Sequence, residues 1–254
     1  MIIINELHGG RFGNKILHYN NLAQIAKSLN TDYNSIPYEG YEFLNLKNNV
    51  NFFNHNAFSF ISSKTDFSSL DKNLNYSLQP CLGELFFKFN YSTREIFSIK
   101  GDVLDKQYKN IGIHFRGGDF HSWNPESILS TEYYINSIES LHTDNNKYYL
   151  FTDDMNLKSY EYVLTYLTEK NYTYELGVAT LNNSHFINDY FQLCDCDYII
   201  SSPSTFAICA GFMGKEKEII HSKKWIDSRV AKNDSFWMGA NNGGNDNYKI
   251  KLIL

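Results

Sequence analysis

The sequence predicts an α/β fold in which helices cover both faces of a parallel sheet. Short apolar or β-branched runs, each typical of a buried strand, recur through the second half of the chain. Between them lie longer segments whose apolar residues repeat at helical spacing. Strands that alternate with helices return to their sheet by crossover connections, so this order favours parallel pairing.

Six runs predict the strands: MIIIN at the N-terminus and residues 110–116, 147–151, 172–176, 197–201 and 217–221. Five sets of apolar residues at intervals of three or four predict helices. The first set extends from Ile16 to Leu29. The other sets are Tyr133, Tyr134, Ile138 and Leu141; Leu157, Tyr160, Val163, Leu164 and Leu167; Phe186, Ile187, Tyr190, Phe191 and Leu193; and Phe206 through Met213.

The two halves of the sequence differ in regularity. Residues 31–105 contain aromatic clusters between polar segments and show no sustained period, so we expect them to be rich in loops. This contrast predicts a reduced first lobe over residues 1–105 and a regular second lobe over residues 106–254. Within the second lobe, the pattern leaves open whether residues 228–254 fold back onto the first lobe or form a mobile cover.

Composition excludes several classes of function. The chain has 254 residues and a formal net charge of −5, which argues against a nucleic-acid-binding surface. No apolar run is long enough for a signal sequence or a membrane span, so we expect a soluble, cytoplasmic protein. The cysteines lack the spacing of a zinc site and are interpreted as reduced structural thiols. They are Cys81, Cys194, Cys196 and Cys209.

The motif Arg116-Gly117-Gly118-Asp119 follows a predicted strand directly. The guanidinium offers a planar set of donors that matches phosphate oxygens, and glycine lets backbone N–H groups approach an anion. Ligands of open α/β sheets bind beyond the carboxyl ends of strands, where this motif lies. For the motif alone, an Arg–Asp pair that braces a turn is the simpler alternative.

Two other strand ends carry candidate binding residues. Asp153 and Asp154 follow the strand at 147–151, where one carboxylate is expected to cap the next helix and the other to accept hydrogen bonds from a nucleoside. Ser201, Ser202, Ser204 and Thr205 follow the strand at 197–201. Hydroxyls and N–H groups at the start of a helix favour an anion there, although one of these serines suffices as an ordinary cap.

The first turn, HGGRFGNK at 8–15, also joins a strand to a helix. Its glycines, Gly9, Gly10 and Gly13, have neither the dinucleotide-binding spacing nor the Walker pattern. An anion-binding turn and a simple tight connection are both open for this segment.

Together these segments resemble the GDP-fucose-dependent fucosyltransferase superfamily. GGRFGNKILHY resembles its N-terminal turn and helix, and GRFGN is similar to the protein O-fucosyltransferases. HFRGGD is similar to the H-x-R-x-G-D signature of the α-1,2 group, LFTDDM to its F-S-D-D segment, and SSPS to its S-S-x-S motif. Lys15 replaces a glutamine, and Thr205-Phe206 replace a tryptophan pair, which leaves the acceptor class open.

The resemblance implies a GT-B type fold with two Rossmann-like lobes, the first of them reduced. The second lobe would bind GDP-fucose, with no metal or other cofactor, and a glycan hydroxyl would be the acceptor. Arg116 would meet the β-phosphate, and Asn14 would approach the reacting centre. The other implied donor contacts are His114 and Asp153 or Asp154 at the guanosine, and Ser202, Ser204 and Thr205 at the pyrophosphate.

The family relation implies an inverting transfer, in which Arg116 stabilises the departing diphosphate. Three residues have suitable chemistry for the general base: Asp119, His121 and Glu126. An α-1,2-fucosyltransferase is the leading hypothesis. The alternatives are a protein O-fucosyltransferase, a transferase of another GDP-sugar, or a non-catalytic scaffold that binds a nucleotide sugar.

Overall fold

The computed structural model describes residues 2–5, 10–35, 37–43, 58–62, 65–71, 73–78, 104–182, 184–213, 217–233, 244–245 and 248–253. The chain divides into two compact units, Met1–Ile99 and Lys100–Leu254. Cys81, Gly9 and most residues of the aromatic clusters FFNHNAFSF (52–60) and LFFKF (85–89) lie outside the described residues.

Within the described residues, the first unit contains a parallel sheet and one long helix. Its elements are β1 (Ile2–Asn5), α1 (Phe12–Leu29), β2 (Asp32–Ser35), β3 (Phe58–Ile61) and β4 (Asn75–Leu78). The described strands are ordered β2-β1-β4-β3, and all of their pairings are parallel. The predicted strand and helix at the N-terminus are confirmed, and the first residues of the predicted turn lie outside the described residues.

The prediction that residues 31–105 are rich in loops missed β2, β3 and β4. Two of these strands read DYNS and NYSL, and each has only 4 residues and no apolar run, so the local pattern is too short to identify them. Their backbones are strands because each pairs with β1 in the sheet, and this pairing is not visible in a local pattern. Leu22 and Ile25 of α1 form a core cluster with Ile61, Tyr76 and Leu78.

The second unit alternates strands and helices along its length. Its elements are β5 (Lys109–Phe115), α2 (Phe120–Trp123), α3 (Thr131–Leu141), β6 (Asn146–Thr152), α4 (Lys158–Glu169), β7 (Thr173–Leu176), α5 (Val178–Asn182), α6 (Ile187–Asp195), β8 (Tyr198–Ile200), α7 (Thr205–Met213), β9 (Glu218–Ser222), α8 (Lys223–Ala231), β10 (Gly244–Asn245) and β11 (Tyr248–Ile253). The strands and helices predicted for this half are all confirmed.

The sheet of the second unit has the strand order β10-β11-β9-β8-β5-β6-β7 within the described residues. The short β10 is antiparallel to β11, and the remaining neighbours are parallel. From β5 the chain builds outward through β6 and β7, then crosses to β8 on the other side. The parallel strands thus have the order of a dinucleotide-binding sheet, with the topological switch point between β5 and β8.

The C-terminal segment whose arrangement the sequence left open belongs to this unit. Residues 223–231 form α8, and β11 pairs in parallel with β9, Ile250 opposite Ile219. The pairing supplies the sixth parallel strand of the described sheet. The segment KKWIDSRVA, which forms α8, has too few apolar positions for helical periodicity to predict a helix.

Three of the cysteines are confirmed as buried free thiols, Cys194, Cys196 and Cys209. Burial raises the pKa of Cys194 to about 12 and also raises that of Cys209, so both thiols stay protonated at neutral pH. No helix among the described residues is long and apolar enough to cross a membrane.

Candidate active site

Three loops meet at the carboxyl edge of the second sheet, next to its switch point. Residues 116–119 follow β5, residues 153–157 follow β6, and residues 201–204 follow β8. Because β5 lies between β6 and β8, its loop is adjacent to both of the others. In sheets of this type, ligands bind at this place.

Arg116 is held between two carboxylates in the loop after β5. Its Nη1 donates to Oδ2 of Asp153 and its Nη2 donates to Oδ1 of Asp119. The ring of Phe120 lies 4.9 Å from Cζ of the guanidinium. Only 12% of the Arg116 side chain is exposed, so the guanidinium is held in one orientation. The Arg–Asp bracing that the sequence allowed is therefore present, at the edge where an anion would bind.

The two glycines of this loop are required by the close approach of the loop after β6. The N–H of Gly117 donates to Oδ1 of Asp153 at 2.9 Å. A Cβ on Gly117 would lie 2.7 Å from Cβ of Asp154 and 2.8 Å from its Oδ2. Gly118 has a φ of +30°, and a Cβ there would lie 2.5 Å from Oδ2 of Asp153. Any larger residue at either position would push the aspartates away.

The expectation that Asp153 or Asp154 caps the following helix is wrong. That helix, α4, begins at Lys158 after Leu157, and it has no side-chain cap. Asp154 instead accepts from the N–H of Asn156 at 3.0 Å through Oδ1. Asp153 and Asp154 both contact the segment that follows β5. The sequence did not predict these contacts, because the two segments are far apart in the chain.

The structure places the three candidate general bases in different surroundings. Asp119 accepts from Arg116, as above. His121 contacts Oδ2 of Asp154 through Nε2 at 2.8 Å, and 54% of its side chain is exposed. Glu126 pairs with Nζ of Lys232 at 2.6 Å, and this hydrogen bond, with the charge of Lys232, lowers the pKa of Glu126.

His114 is a buried residue that connects the two strands of the switch point. Its Nδ1 lies 2.7 Å from Oγ of Ser202, and its carbonyl oxygen accepts from the N–H of Ser202 at 3.1 Å. The imidazole stacks on Phe206, with 5.4 Å between ring centroids. Burial, and then the charge of Arg116, lower the pKa of His114 to about 3, so the ring is neutral.

The hydroxyl residues after β8 have structural partners of their own. Oγ of Ser204 accepts from the N–H of Phe206 at 3.3 Å, which confirms that one of these serines acts as a helix cap. The hydroxyl of Ser202 is paired with His114, and Ser201 donates to the carbonyl of Ser202 at 2.6 Å. Thr205 is half-buried at the start of α7. Contacts of Ser202, Ser204 and Thr205 with a pyrophosphate stay predictions.

The first unit carries the remaining candidates, just before α1 and in its first turn. Gly10 has a φ of +74°, and a Cβ there would lie 2.2 Å from Nδ2 of Asn14. Gly13 is buried in the first turn of α1, and Asn14 is half-buried. The tight connection accounts for Gly10 by itself, since only glycine adopts this backbone conformation without strain. Anion binding by Gly9, Gly10 and Gly13 stays a prediction.

Sequence reasoning missed a buried carboxylate that supports the neighbouring loop. Asp189 of α6 accepts from the backbone N–H groups of Ala179 and Thr180 and from the Thr180 hydroxyl. The N–H of Thr152, at the end of β6, donates to that hydroxyl at 3.1 Å. Burial raises the pKa of Asp189. Its position on the apolar face of α6, beside Tyr190, was the signal that it is buried.

Comparisons with known proteins agree with this architecture. The model of the family described as Glycosyl transferase family 11 matches residues 11–241. The fold is similar to that of fucosyltransferase NodZ from Bradyrhizobium, with 12% identity and a TM-score of 0.50 over 84% of this chain and 93% of that chain. It is also similar to a variant of FUT1 from Arabidopsis thaliana in complex with GDP, with 11% identity and a TM-score of 0.54 over 87% and 69%. No curated protein matches the sequence. The predicted GT-B type fold class is confirmed.

Proposed function

The chain belongs to glycosyl transferase family 11, and on that premise we propose that it transfers fucose from GDP-fucose to a glycan hydroxyl, forming an α-1,2 linkage with inversion. That it is a GDP-fucose-dependent glycosyltransferase of the fucosyltransferase superfamily follows from the family and the fold together. The observation that carries the proposal is the position of Arg116, whose fixed guanidinium lies at the carboxyl end of β5 beside the switch point.

Arg116 has the chemistry to hold the diphosphate of the donor. A guanidinium forms two parallel hydrogen bonds with phosphate as readily as with carboxylate. Asp119 and Asp153 orient it, and the diphosphate would bind at its edge or replace one of these carboxylates. His114 and one of the aspartates, Asp153 or Asp154, at the guanosine, together with Ser202, Ser204 and Thr205 at the pyrophosphate, complete the proposed donor site. Asn14 is the proposed contribution of the first unit.

The proposed reaction is a displacement at the anomeric carbon. The bond from this carbon to the acceptor oxygen forms while its bond to the β-phosphate oxygen breaks, and the electron pair leaves with GDP. Negative charge therefore grows on the diphosphate as the sugar gains oxocarbenium character. A preorganised guanidinium stabilises that charge more in the transition state than in the ground state.

Independence of metal ions is part of the proposal, because Arg116 has the charge that a divalent ion would otherwise supply at the diphosphate. We expect transfer to continue in excess EDTA. A requirement for added Mg²⁺ or Mn²⁺ would contradict this part. The cytoplasmic location expected from the sequence stays a prediction.

The proposal is tested by incubating the protein with labelled GDP-fucose and a panel of oligosaccharides that end in galactose. We expect GDP release with transfer of label, and a product in which nuclear magnetic resonance shows an α-1,2 linkage. An α-1,6 product would contradict the linkage, and a fucosylated polypeptide would favour the relation to protein O-fucosyltransferases that GRFGN at 10–14 suggests. GDP-fucose binding without GDP release would identify a scaffold.

Replacing Gly117 with alanine is expected to lower kcat by roughly 10- to 100-fold, the scale of a misplacement near 1 Å. The added Cβ would stand 2.7 Å from Cβ of Asp154 and would displace the loop that orients Arg116. The matched control is Ser122→Ala in the same segment, where an exposed hydroxyl is lost that only donates to the carbonyl of Asp119. Equal transfer rates for the two variants would show that the close approach is unimportant.

A further inference from the structure

His121 and Asp154 form an exposed pair of imidazole and carboxylate beside Arg116. Nε2 of His121 lies 2.8 Å from Oδ2 of Asp154, and 19% of the Asp154 side chain is exposed against 54% for His121. Two hydrogen bonds hold Asp154 in place: its Oδ1 accepts from the N–H of Asn156, and its own N–H donates to the Thr152 hydroxyl at 3.0 Å. A rigid carboxylate therefore holds an imidazole that solvent and substrates can reach.

This arrangement selects the proton state of the ring. An ionised carboxylate only accepts hydrogen bonds, so it favours the neutral tautomer with hydrogen on Nε2. Nδ1 then carries the lone pair and is ready to accept a proton. The same carboxylate stabilises the imidazolium once the proton has been taken up, which is the relation of histidine and aspartate in many catalytic sites.

The other candidate bases are committed elsewhere. A proton taken up by Asp119 would weaken its ion pair with Arg116, the charge needed at the diphosphate. Glu126 is bonded to Lys232, and its lowered pKa makes it a weaker base. His114 is buried and shares its Nδ1 contact with Ser202.

We propose that His121 is the general base of the transfer reaction and that Asp154 is its positioning residue. This inference rests on the proposed function and deepens it. The proton of the acceptor hydroxyl moves to Nδ1 of His121 as the oxygen bonds to the anomeric carbon and the electron pair of the broken bond leaves with GDP. The imidazolium then returns the proton to water, so that no other reactant is consumed.

The pH dependence of the reaction follows from this assignment. The charged groups around His121 are Asp154, in direct contact, and the network of Asp119, Arg116 and Asp153 in the adjoining loops. A general base must be unprotonated to take up the proton of the acceptor, so kcat/KM should fall toward acid through His121. His114 is buried and in contact with Ser202, so it does not account for this fall.

The test compares three variants with the unaltered chain, using GDP-fucose and the acceptor found in the assay above. We expect His121→Ala and Asp154→Asn to lower kcat by on the order of 10², the contribution of a general base, while the dissociation constant of GDP changes less than about twofold. The acid limb of the pH profile should vanish in His121→Ala, and added imidazole should restore part of its rate. His142→Gln, at the amino edge of the sheet, should retain full activity.

Each outcome decides the proposal. An unaltered acid limb in His121→Ala, or failure of imidazole to restore any rate, would leave His121 a structural residue and overturn it. Weaker GDP binding with normal kcat in Asp154→Asn would make Asp154 a guanosine contact and also overturn it. In these cases the unaltered chain still transfers fucose, and the proposed function stands. Absence of transfer by the unaltered chain would overturn both.

Discussion

Replacing Arg116 with alanine is expected to lower fucosyl transfer by on the order of 10²–10³, the effect of removing one preorganised donor from a developing anion. The loss should be in kcat more than in KM, because the charge on the diphosphate is greatest in the transition state. Steady-state rates of GDP release give kcat and KM, and calorimetry gives the affinity for GDP. Together they distinguish a loss in kcat from a loss in binding.

Two further variants control the Arg116 prediction. Arg116→Lys keeps the positive charge but loses the planar set of donors that spans Asp119 and Asp153, so it should recover only part of the rate. Arg229→Ala removes an arginine that lies over the ring of Trp225 on α8, at 5.6 Å, and should transfer fucose normally. Near-normal turnover of Arg116→Ala would contradict the donor site.

The second unit is expected to lose stability steeply between about pH 6 and 4.5. Burial lowers the pKa of His114 from 6.5 to about 3 and that of His221 to about 4, so both rings are neutral when folded. Below pH 6.5 the unfolded chain binds two protons that the folded chain does not. In this range each histidine lowers the free energy of unfolding by about 1.4 kcal/mol for each pH unit of acidification. The two together lower it by about 3 kcal/mol per pH unit.

The direction of this effect is set by the sign of the two shifts. Because the pKa values of these histidines are lowered in the folded state, the free energy of unfolding is greatest above pH 6.5. It decreases as the pH falls toward the pKa values of the folded state. The raised pKa of Asp189 acts in the opposite direction, because burial penalises its charged form and protonation relieves that penalty. One carboxylate acting in the more acidic range offsets only part of the loss from two imidazoles.

Amide hydrogen exchange of Ile113 and Ile220, in the central strands β5 and β9, measures the opening free energy of this unit by itself. We expect His221→Gln to reduce the slope with pH by about half, since the amide keeps hydrogen-bonding groups but does not titrate. A slope near zero in the unaltered chain would refute the account of both histidines. An unchanged slope in His221→Gln would refute it for His221 alone.

Local pattern was sufficient for most of the second unit. The runs from 110–116 to 217–221 became β5 to β9. The inner strands of this sheet were recognisable because a strand covered on both faces must be apolar throughout, and the edge strand β7 because its exposed and half-buried residues alternate. The same rule did not find β2, where DYNS is a strand only through its pairing with β1. The strand β11 was missed for a related reason, since it pairs with β9, where Ile219 lies opposite Ile250 and precedes it by 31 residues in the chain.

The candidate site divides in the same way between local and distant information. Arg116, Asp153, Asp154 and Ser202 were all found at strand ends, because each follows an apolar run directly. Apart from the pairing of Arg116 with Asp119, their partners were not found. The bonds from Arg116 to Asp153, from His121 to Asp154 and from His114 to Ser202 join segments at the ends of different strands, and no spacing within one loop encodes them.

The sequence by itself determined the strands and helices of the second unit, the placement of charged and hydroxyl residues at their carboxyl ends, and the resemblance to fucosyltransferases. These depend on apolar periodicity and short motifs, which act over a few residues. Only the tertiary structure decided the strand order and its switch point. It also decided which carboxylate pairs with which cation, and which candidate base forms a hydrogen bond with a carboxylate. Those properties depend on which strands become neighbours, and this is settled by packing of the whole sheet.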